Sequence, residues 1–414
     1  MMEGWKTDKF KNQIQYKSGY TWSKEQELKT QEPNSVRVLT VTNIQKDLDL
    51  SEELYLQGVS EKDKKEKAVS KDWCIAVSSN GNRKRIGNAV FIKDDTDYLF
   101  ASFLTAFKPK DNSDILPDYF FRWLTSHNVQ ERITSVSEGT TGLGNLDIRY
   151  LRNMDIHFPE KQEQSVIAAI LSKVDEAIAS VQASISAAER LKKSLMQNLL
   201  TGRMKPDGTL RNEDEFYVDE KFGRVPKGWH WGRLSEIAEI IAGQSPQGEY
   251  YNEDGLGCPM LNGPTEFTDK YPIPVQWTTK VTKLCQKGDI LFTVRGSSTG
   301  RMNFADQEYC IGRGLAAIRP KPNSNIQFIY YTLLKISEMI LAEAKGAGTT
   351  FPNVSRGDLM KKEILIPDNQ EEIVKQICST ENTIILKQNK IAILERLKKS
   401  LMQNLLTGRV RVKN

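Results

Sequence analysis

One fifteen-residue string, ERLKKSLMQNLLTGR, stands at residues 189–203 and again at 395–409 without a mismatch. An internal repeat of this kind constrains the plan of the chain before any local reading, because each copy must close an equivalent structural unit. The likeness continues in weaker form around it. "FPEKQEQSVIAAILS" (158–172) precedes the first copy and "IPDNQEEIVKQICS" (366–379) the second. Gly139-Thr140-Thr141 answers Gly348-Thr349-Thr350, Leu151 answers Leu359, and Gly4-Trp5, Phe10 and Gly19 match Gly228-Trp229, Leu234 and Gly243. The chain reads as two homologous units, each a variable globular part followed by a long helix.

The helices carry the clearest periodicity. Ile167, Leu171, Val174, Ile178, Val181, Ile185 and Ala188 recur in steps of four and three, the seam of a coiled coil, and the stripe then shifts to Leu191, Leu195 and Leu199. Ile373, Ile377, Ile384, Ile391, Leu394, Leu401 and Leu405 repeat the pattern. Pro159 and Pro367 open the helices, and Gly202 and Gly408 close them. Forty residues make a rod of about 60 Å, too long an amphipathic surface to stay bare, so the two rods are expected to pack on each other, the alternative being that each lies on its own domain.

The variable parts read as mixed α and β. "NAVFIK" (88–93), "FASFLTAFKP" (100–109), "DILFTV" (289–294) and "LAAIRP" (315–320) have the look of short strands. "PDYFFRWLTSHNVQERI" and "IQFIYYTLLKISEMILAEA" have that of amphipathic helices. The expected organisation is a globular part over 1–158, a helix over 159–203, a polar linker over 204–224, a second globular part over 225–366, a second helix over 367–409 and a tail over 410–414. Trp5 and Trp229, at equivalent domain starts, are expected in the core.

Composition narrows the function. Apolar residues at 39% and charged residues at 27% describe a globular chain rather than a disordered one. No window approaches 18 apolar residues and the N-terminus lacks the apolar core of a secretory signal, so the expected location is the cytoplasm. Five scattered cysteines without a CxxC pair, and three isolated histidines, predict free thiols and no metal site. GxxxxGK(S/T), HExxH, GxSxG and GxGxxG are all absent, as are an Asn-Pro-Pro-aromatic tetrapeptide and a Phe-x-Gly-x-Gly motif. A non-catalytic chain is expected. A charge of +5 permits nucleic acid provided that the basic groups gather on particular faces.

Loops of Gly, Arg, Lys, Ser, Thr and Asn supply such faces, since these residue types reach phosphates and base edges. In the first unit the candidates are Asn82, Arg83, Lys84, Arg85, Thr140, Thr141, Asn145 and Arg149. In the second they are Arg295, Ser297, Ser298, Arg301, Arg313, Thr349, Thr350, Asn353 and Arg356. Packing requires only the leucines of the duplicated string, yet Lys192, Lys193, Gln197 and Asn198 recur as Lys398, Lys399, Gln403 and Asn404, so these eight are candidates for docking two copies of one partner. The lysine-rich run at 60–69 interleaves acids and reads as a solvated face.

The two-unit layout, "VPKGWHWGRLSEIAEIIAGQSP" (225–246), "GDILFTVRGSSTG", "GTTFPNVSRGDLMKKEILIP" and the duplicated string together resemble the specificity (S) subunits of type I restriction-modification systems, over essentially the whole chain. The resemblance implies an α+β fold in which two similar mixed α/β target recognition domains are separated by two long antiparallel coiled-coil helices, a pseudo-two-fold internal repeat. It implies a phage-defence, DNA-binding subunit that reads an asymmetric, bipartite sequence in double-stranded DNA and holds no catalytic residue, metal or cofactor itself. Two methyltransferase (M) subunits would bring S-adenosylmethionine and methylate adenine; restriction (R) subunits would bring ATP and Mg²⁺ chemistry. Two rival readings are the recognition portion of a self-sufficient methyltransferase or nuclease, and a coiled-coil scaffold. The first lacks the motifs, and the second leaves two large globular parts unexplained.

Overall fold

The computed structural model describes residues 4–137, 144–346 and 352–412. It divides into two compact units: Met1–Gln182 with Asn389–Asn414, and Ala183–Gln388. Among the described residues no helix is long and apolar enough to cross a membrane.

The first unit is built on four antiparallel strands, β1 (Ile14–Ser18), β2 (Cys74–Val77), β3 (Ala89–Phe91) and β4 (Leu104–Pro109), in the order β1-β4-β2-β3. β2 is buried at all positions, which is why its sequence is an unbroken apolar run rather than an alternation. Helices α1 (Pro117–Leu124) and α2 (His127–Val136) add Phe120, Trp123, Val129 and Ile133 to the core around Phe10 and Phe107. The sequence suggested one helix here. It breaks at Thr125-Ser126, whose hydroxyls donate to the carbonyls of Phe121 (2.8 Å) and Trp123 (2.7 Å), offering the backbone an alternative to another turn. "FASFLTAFKP" is likewise two strands: Leu99–Phe100 joins a second sheet by pairing parallel to Val36–Leu39, and β4 follows after a turn. The first long helix is α3 (Lys161–Leu199).

The second unit repeats the scheme. Strands β5 (Ala238–Ala242), β6 (Ile290–Thr293), β7 (Met302–Phe304) and β8 (Leu315–Pro320) lie in the order β5-β8-β6-β7, all antiparallel. A five-stranded second sheet again contains one parallel pair, Cys258–Leu261 with Tyr309–Ile311. Helix α4 (Ile326–Gly346) buries Phe328, Ile329, Tyr331 and Leu333. The second long helix is α5 (Gln370–Leu405). The polar stretch read as a linker folds: Phe216–Asp219 pairs with Gly223–Pro226, and Phe222 stacks on Trp231 with ring centroids 4.3 Å apart. Asp219 accepts from the backbone N–H groups of Lys221 and Phe222, both at 2.9 Å, so a carboxylate rather than an apolar stripe makes this turn.

Within each unit, half of one long helix packs on the opposite half of the other. In the first, Ile167 and Leu171 share a cluster with Leu401, Met402, Leu405 and Leu406, and Glu163 binds Arg411 while Asp175 binds Lys398. In the second, Leu195, Leu199 and Leu200 cluster with Ile373, Val374 and Ile377, and Lys192 binds Glu381. Rising numbers on one segment meet falling numbers on the other, so the packed segments run antiparallel in the first unit. Leu191, expected in the apolar stripe, is instead 52% exposed, and its counterpart Leu397 is 45% exposed. Burial passes along Leu195 and Leu199 instead, so the apolar face does not shift through position 191. Gly202 and Gly408 end the helices at φ 67° and 70°, the left-handed conformation that glycine adopts without a Cβ clash. Trp5 and Trp229 are buried.

Candidate nucleic-acid interface

In the first unit the chain leaves β2 at Ser78 and Ser79, whose N–H groups both donate to the Phe103 carbonyl, at 2.8 and 3.1 Å. The returning segment is stitched alongside: Leu146 N–H donates to Ser78 O (2.8 Å), and Gly144 and Asn145 pair with Asn80 and Ser79. The loop at 78–87 and the described part of the second loop, from Gly144 on, therefore lie side by side. Asn82 caps the turn Arg83–Arg85 by accepting from Lys84 N–H. Asn82, Arg83, Lys84, Asn145 and Arg149 are exposed. Arg85 turns inward, donating to the carbonyls of Val41 (2.9 Å) and Ile44 (2.7 Å). Thr140 and Thr141 lie outside the described residues.

The second unit makes the same junction. Val354 N–H donates to Val294 O (2.9 Å), Gly296 N–H to Pro352 O (3.0 Å), and Arg295 bridges Asn353, with Arg295 Nε donating to Asn353 Oδ1 at 3.2 Å. Asp147 and Ser355, one residue beyond the stitched positions, each cap a short helix by accepting from the N–H three residues on. Asn145 and Asn353 thus occupy the same place in the two units. A third loop joins here: Val294 N–H donates to Gly314 O (2.9 Å), and Arg313 N–H to Ser245 Oγ (3.1 Å). Arg295, Ser297, Arg301, Arg313, Asn353 and Arg356 are exposed and Ser298 is half-buried. Two of the guanidinium groups also serve the fold: Arg301 donates to Pro264 O (3.3 Å) and Phe267 O (3.1 Å), and Arg356 to Ile240 O (2.8 Å). Thr349 and Thr350 lie outside the described residues.

Sequence reading passed over Ser245 and Asn262, which the fold brings to this place. A Cβ on Gly312 would meet Asn262 Oδ1 at 2.4 Å, and one on Gly243 would meet the Gly312 carbonyl at 2.2 Å. The match of Gly243 to Gly19 was the available signal, since a repeated glycine marks close backbone approach, and a Cβ on Gly19 would meet Ala101 O at 1.9 Å.

The duplicated helix ends divide their residues. Lys192 pairs with Glu381, which also accepts from the Tyr331 hydroxyl at 2.7 Å, and the Lys192 ammonium lies 5.6 Å from that ring. Lys398 pairs with Asp175 at 2.6 Å, and Arg122 binds the same carboxylate. Lys193, Gln197, Lys399 and Gln403 are exposed; Asn198 and Asn404 are half-buried and bond within their own helices. In the first unit Lys398, Lys399 and Gln403 line a cavity of about 1020 Å³, and in the second Lys192, Lys193 and Gln197 line one of about 910 Å³. Among the described residues no group of His, Cys, Asp and Glu side chains is placed to hold a metal ion. Burial pushes the Cys285 thiol up to about 12 and raises that of Cys74.

Comparison with known proteins places this geometry. The sequence profile of the type I restriction modification DNA specificity domain matches residues 2–190 and 226–396, once in each half. A candidate type I restriction enzyme specificity subunit of Methanocaldococcus jannaschii, MjaX, is 29% identical over 374 residues, spanning 88% of this chain and 85% of the relative. The MjaIX specificity subunit of the same organism is 26% identical, over 89% of this chain and 86% of its own. The fold is similar to that of the type I restriction-modification S subunit from M. genitalium, with a TM-score of 0.58 at 17% identity, covering 97% of this chain and 96% of that one. Both halves match and the match covers most of the chain, so the protein belongs to the family of type I restriction-modification DNA specificity subunits.

Proposed function

We propose that the chain reads a bipartite, asymmetric sequence in double-stranded DNA, each unit taking one half-site through its stitched loops. The observation that carries this is the repeated junction with unlike side chains. Where the first unit offers Ser79 opposite Asn145, with Asn80, Asn82, Arg83 and Lys84 beyond, the second offers Arg295 opposite Asn353, with Ser297, Ser298 and Arg313 beside them. Guanidinium binds guanine O6 and N7, and Asn binds adenine N6 and N7, so unlike sets select unlike bases. The long helices would act as an antiparallel coiled coil relating the units by a pseudo-two-fold and setting the gap between half-sites, for which one DNA turn of about 34 to 36 Å is the natural measure.

Two methyltransferase subunits would dock on the duplicated helix ends through Lys193, Gln197, Lys399 and Gln403 and the cavities beside them, and restriction subunits would join through them. S-adenosylmethionine, ATP and Mg²⁺ belong to those partners in this reading. The test is co-expression with a methyltransferase subunit, followed by sequencing for N6-methyladenine. The expected result is methylation at one split site with unlike halves. A palindromic site, or no methylation at any split site, overturns it.

A further inference from the structure

The lysine-rich run at 60–69 contributes more than a solvated face. It folds as a short helix, Glu61–Lys67, capped by Ser60, and Lys67 turns away from it to donate to the carbonyl (3.3 Å) and hydroxyl (3.2 Å) of Ser18. Lys17 reaches the opposite way, donating to Ala68 O at 3.0 Å with its ammonium 4.9 Å from the Trp73 ring. Lys17 on β1 stands opposite Ala106 on β4, which puts Lys108, two residues further along β4, on the same face of the sheet. Lys108 donates to Lys71 O at 3.4 Å.

Three ammonium groups are thus gathered by carbonyl oxygens. Among the described residues the only carboxylate ion-paired with any of them is Asp72, 4.0 Å from Lys108. Burial lowers the Lys17 pKa, and the nearby charges of Lys67 and Lys108 lower it further. The second unit handles the same sheet positions differently. There Ile241 stands opposite Ala317, and Arg319, two residues further on, is neutralised by Asp289 through two bonds of 3.0 and 2.8 Å. The first unit therefore keeps three lysines with one carboxylate at 4.0 Å where its homologous half has an apolar residue and a closed ion pair.

We propose that Lys17, Lys67 and Lys108 form a cradle for DNA backbone phosphates next to the bases read by the loops of the first unit. This rests on the DNA-reading function above and extends it to a contact outside those loops. An ammonium binds phosphate as a point charge and carries no base information, so the cradle sets affinity and register rather than sequence choice. The loops are tied to β4 at the Phe103 carbonyl. From there Ala106 and Lys108 lie about 10 and 17 Å along the strand at about 3.4 Å per residue, the length of about three to five base pairs.

The test compares the full chain with the K17Q/K67Q/K108Q variant, by fluorescence anisotropy on a duplex carrying the methylated target and on a scrambled duplex, between 50 and 200 mM salt. Each lost phosphate contact lowers the slope of log affinity against log salt by about 0.9. The expected result is a slope lower by about two to three on both duplexes, with the target-to-scrambled ratio unchanged. A control, K62Q/K65Q on the same helix, keeps the parent slope. If the triple variant fails to fold, Lys67→Gln alone carries the test, with an expected fall of about one. An unchanged slope, or a change in the ratio, overturns the proposal. A parent chain that binds both duplexes alike overturns the recognition reading instead, and the slope on the scrambled duplex still decides the cradle.

Discussion

Arg83, Lys84 and Arg85 are adjacent in sequence, yet the fold gives them different work. Lys84 is exposed at the turn, while the Arg85 guanidinium satisfies two carbonyls. Arg85→Ala is expected to cost about 1.5 to 3 kcal/mol, the range for hydrogen bonds to a charged group, read as a lower urea midpoint. Lys84→Ala is expected to leave the midpoint in place and weaken DNA binding. Gly243 shows the reverse relation between sequence and structure. Its match to Gly19 was visible, but its reason was not, because the obstructing carbonyls of Gly312, Ile311 and Leu315 come from a distant strand connection. Gly243→Ala must part those backbones, and the expected loss exceeds about 2 kcal/mol, again read by denaturant midpoint; a fall below 0.5 kcal/mol would refute the close-approach argument.

At the scale of elements, α3 and α5 were legible because a four-three spacing of Ile, Leu and Val survives without knowledge of any partner. Their pairing was not. The spacing alone does not say which segments meet; in the fold the matched segments share apolar clusters and also ion pairs, Asp175 with Lys398 and Glu381 with Lys192. Lys192 and Lys398, singled out because they recur, are therefore tied to carboxylates in their own units, and their neighbours Lys193 and Lys399 are the ones left exposed. Burial raises the Asp175 pKa, but the hydrogen bond from Lys398 and the charges of Arg122 and Lys398 outweigh it, so the folded value lies below that of an ordinary aspartate. A carboxyl lowered in this way stabilises fully above its unfolded value, about 3.9, and loses that contribution as the pH falls through the folded one. Urea midpoints taken from pH 5 downward should therefore fall below about pH 4, and less steeply in Asp175→Asn. That variant should also be less stable at pH 7 by about 2 kcal/mol, since it leaves the buried Arg122 short of its counter-charge. Equal acid slopes in parent and variant would refute the assignment.

At the scale of the molecule, the repeat made two homologous units readable from fifteen identical letters. The loops were readable as candidates by residue type, but not as surfaces. Their assembly depends on stitches such as Leu146 N–H to Ser78 O and Val354 N–H to Val294 O, which join segments far apart in the chain and involve backbone atoms that every residue possesses. A methylome of Arg295→Ala should change at one half-site only; an equal loss at both would make Arg295 a general phosphate contact.

The second unit is a single stretch, Ala183–Gln388, whereas the first needs Asn389–Asn414 as well as Met1–Gln182. On a ribosome, that reverses the usual order of completion. The unit synthesised second has all its residues in hand first, and the unit synthesised first waits with Ile167 and Leu171 uncovered until Leu405 and Leu406 arrive. A chain stopped after Gln388 should yield a second unit that resists protease and a first unit that does not, so late interruption of translation would damage the beginning of the protein more than its middle.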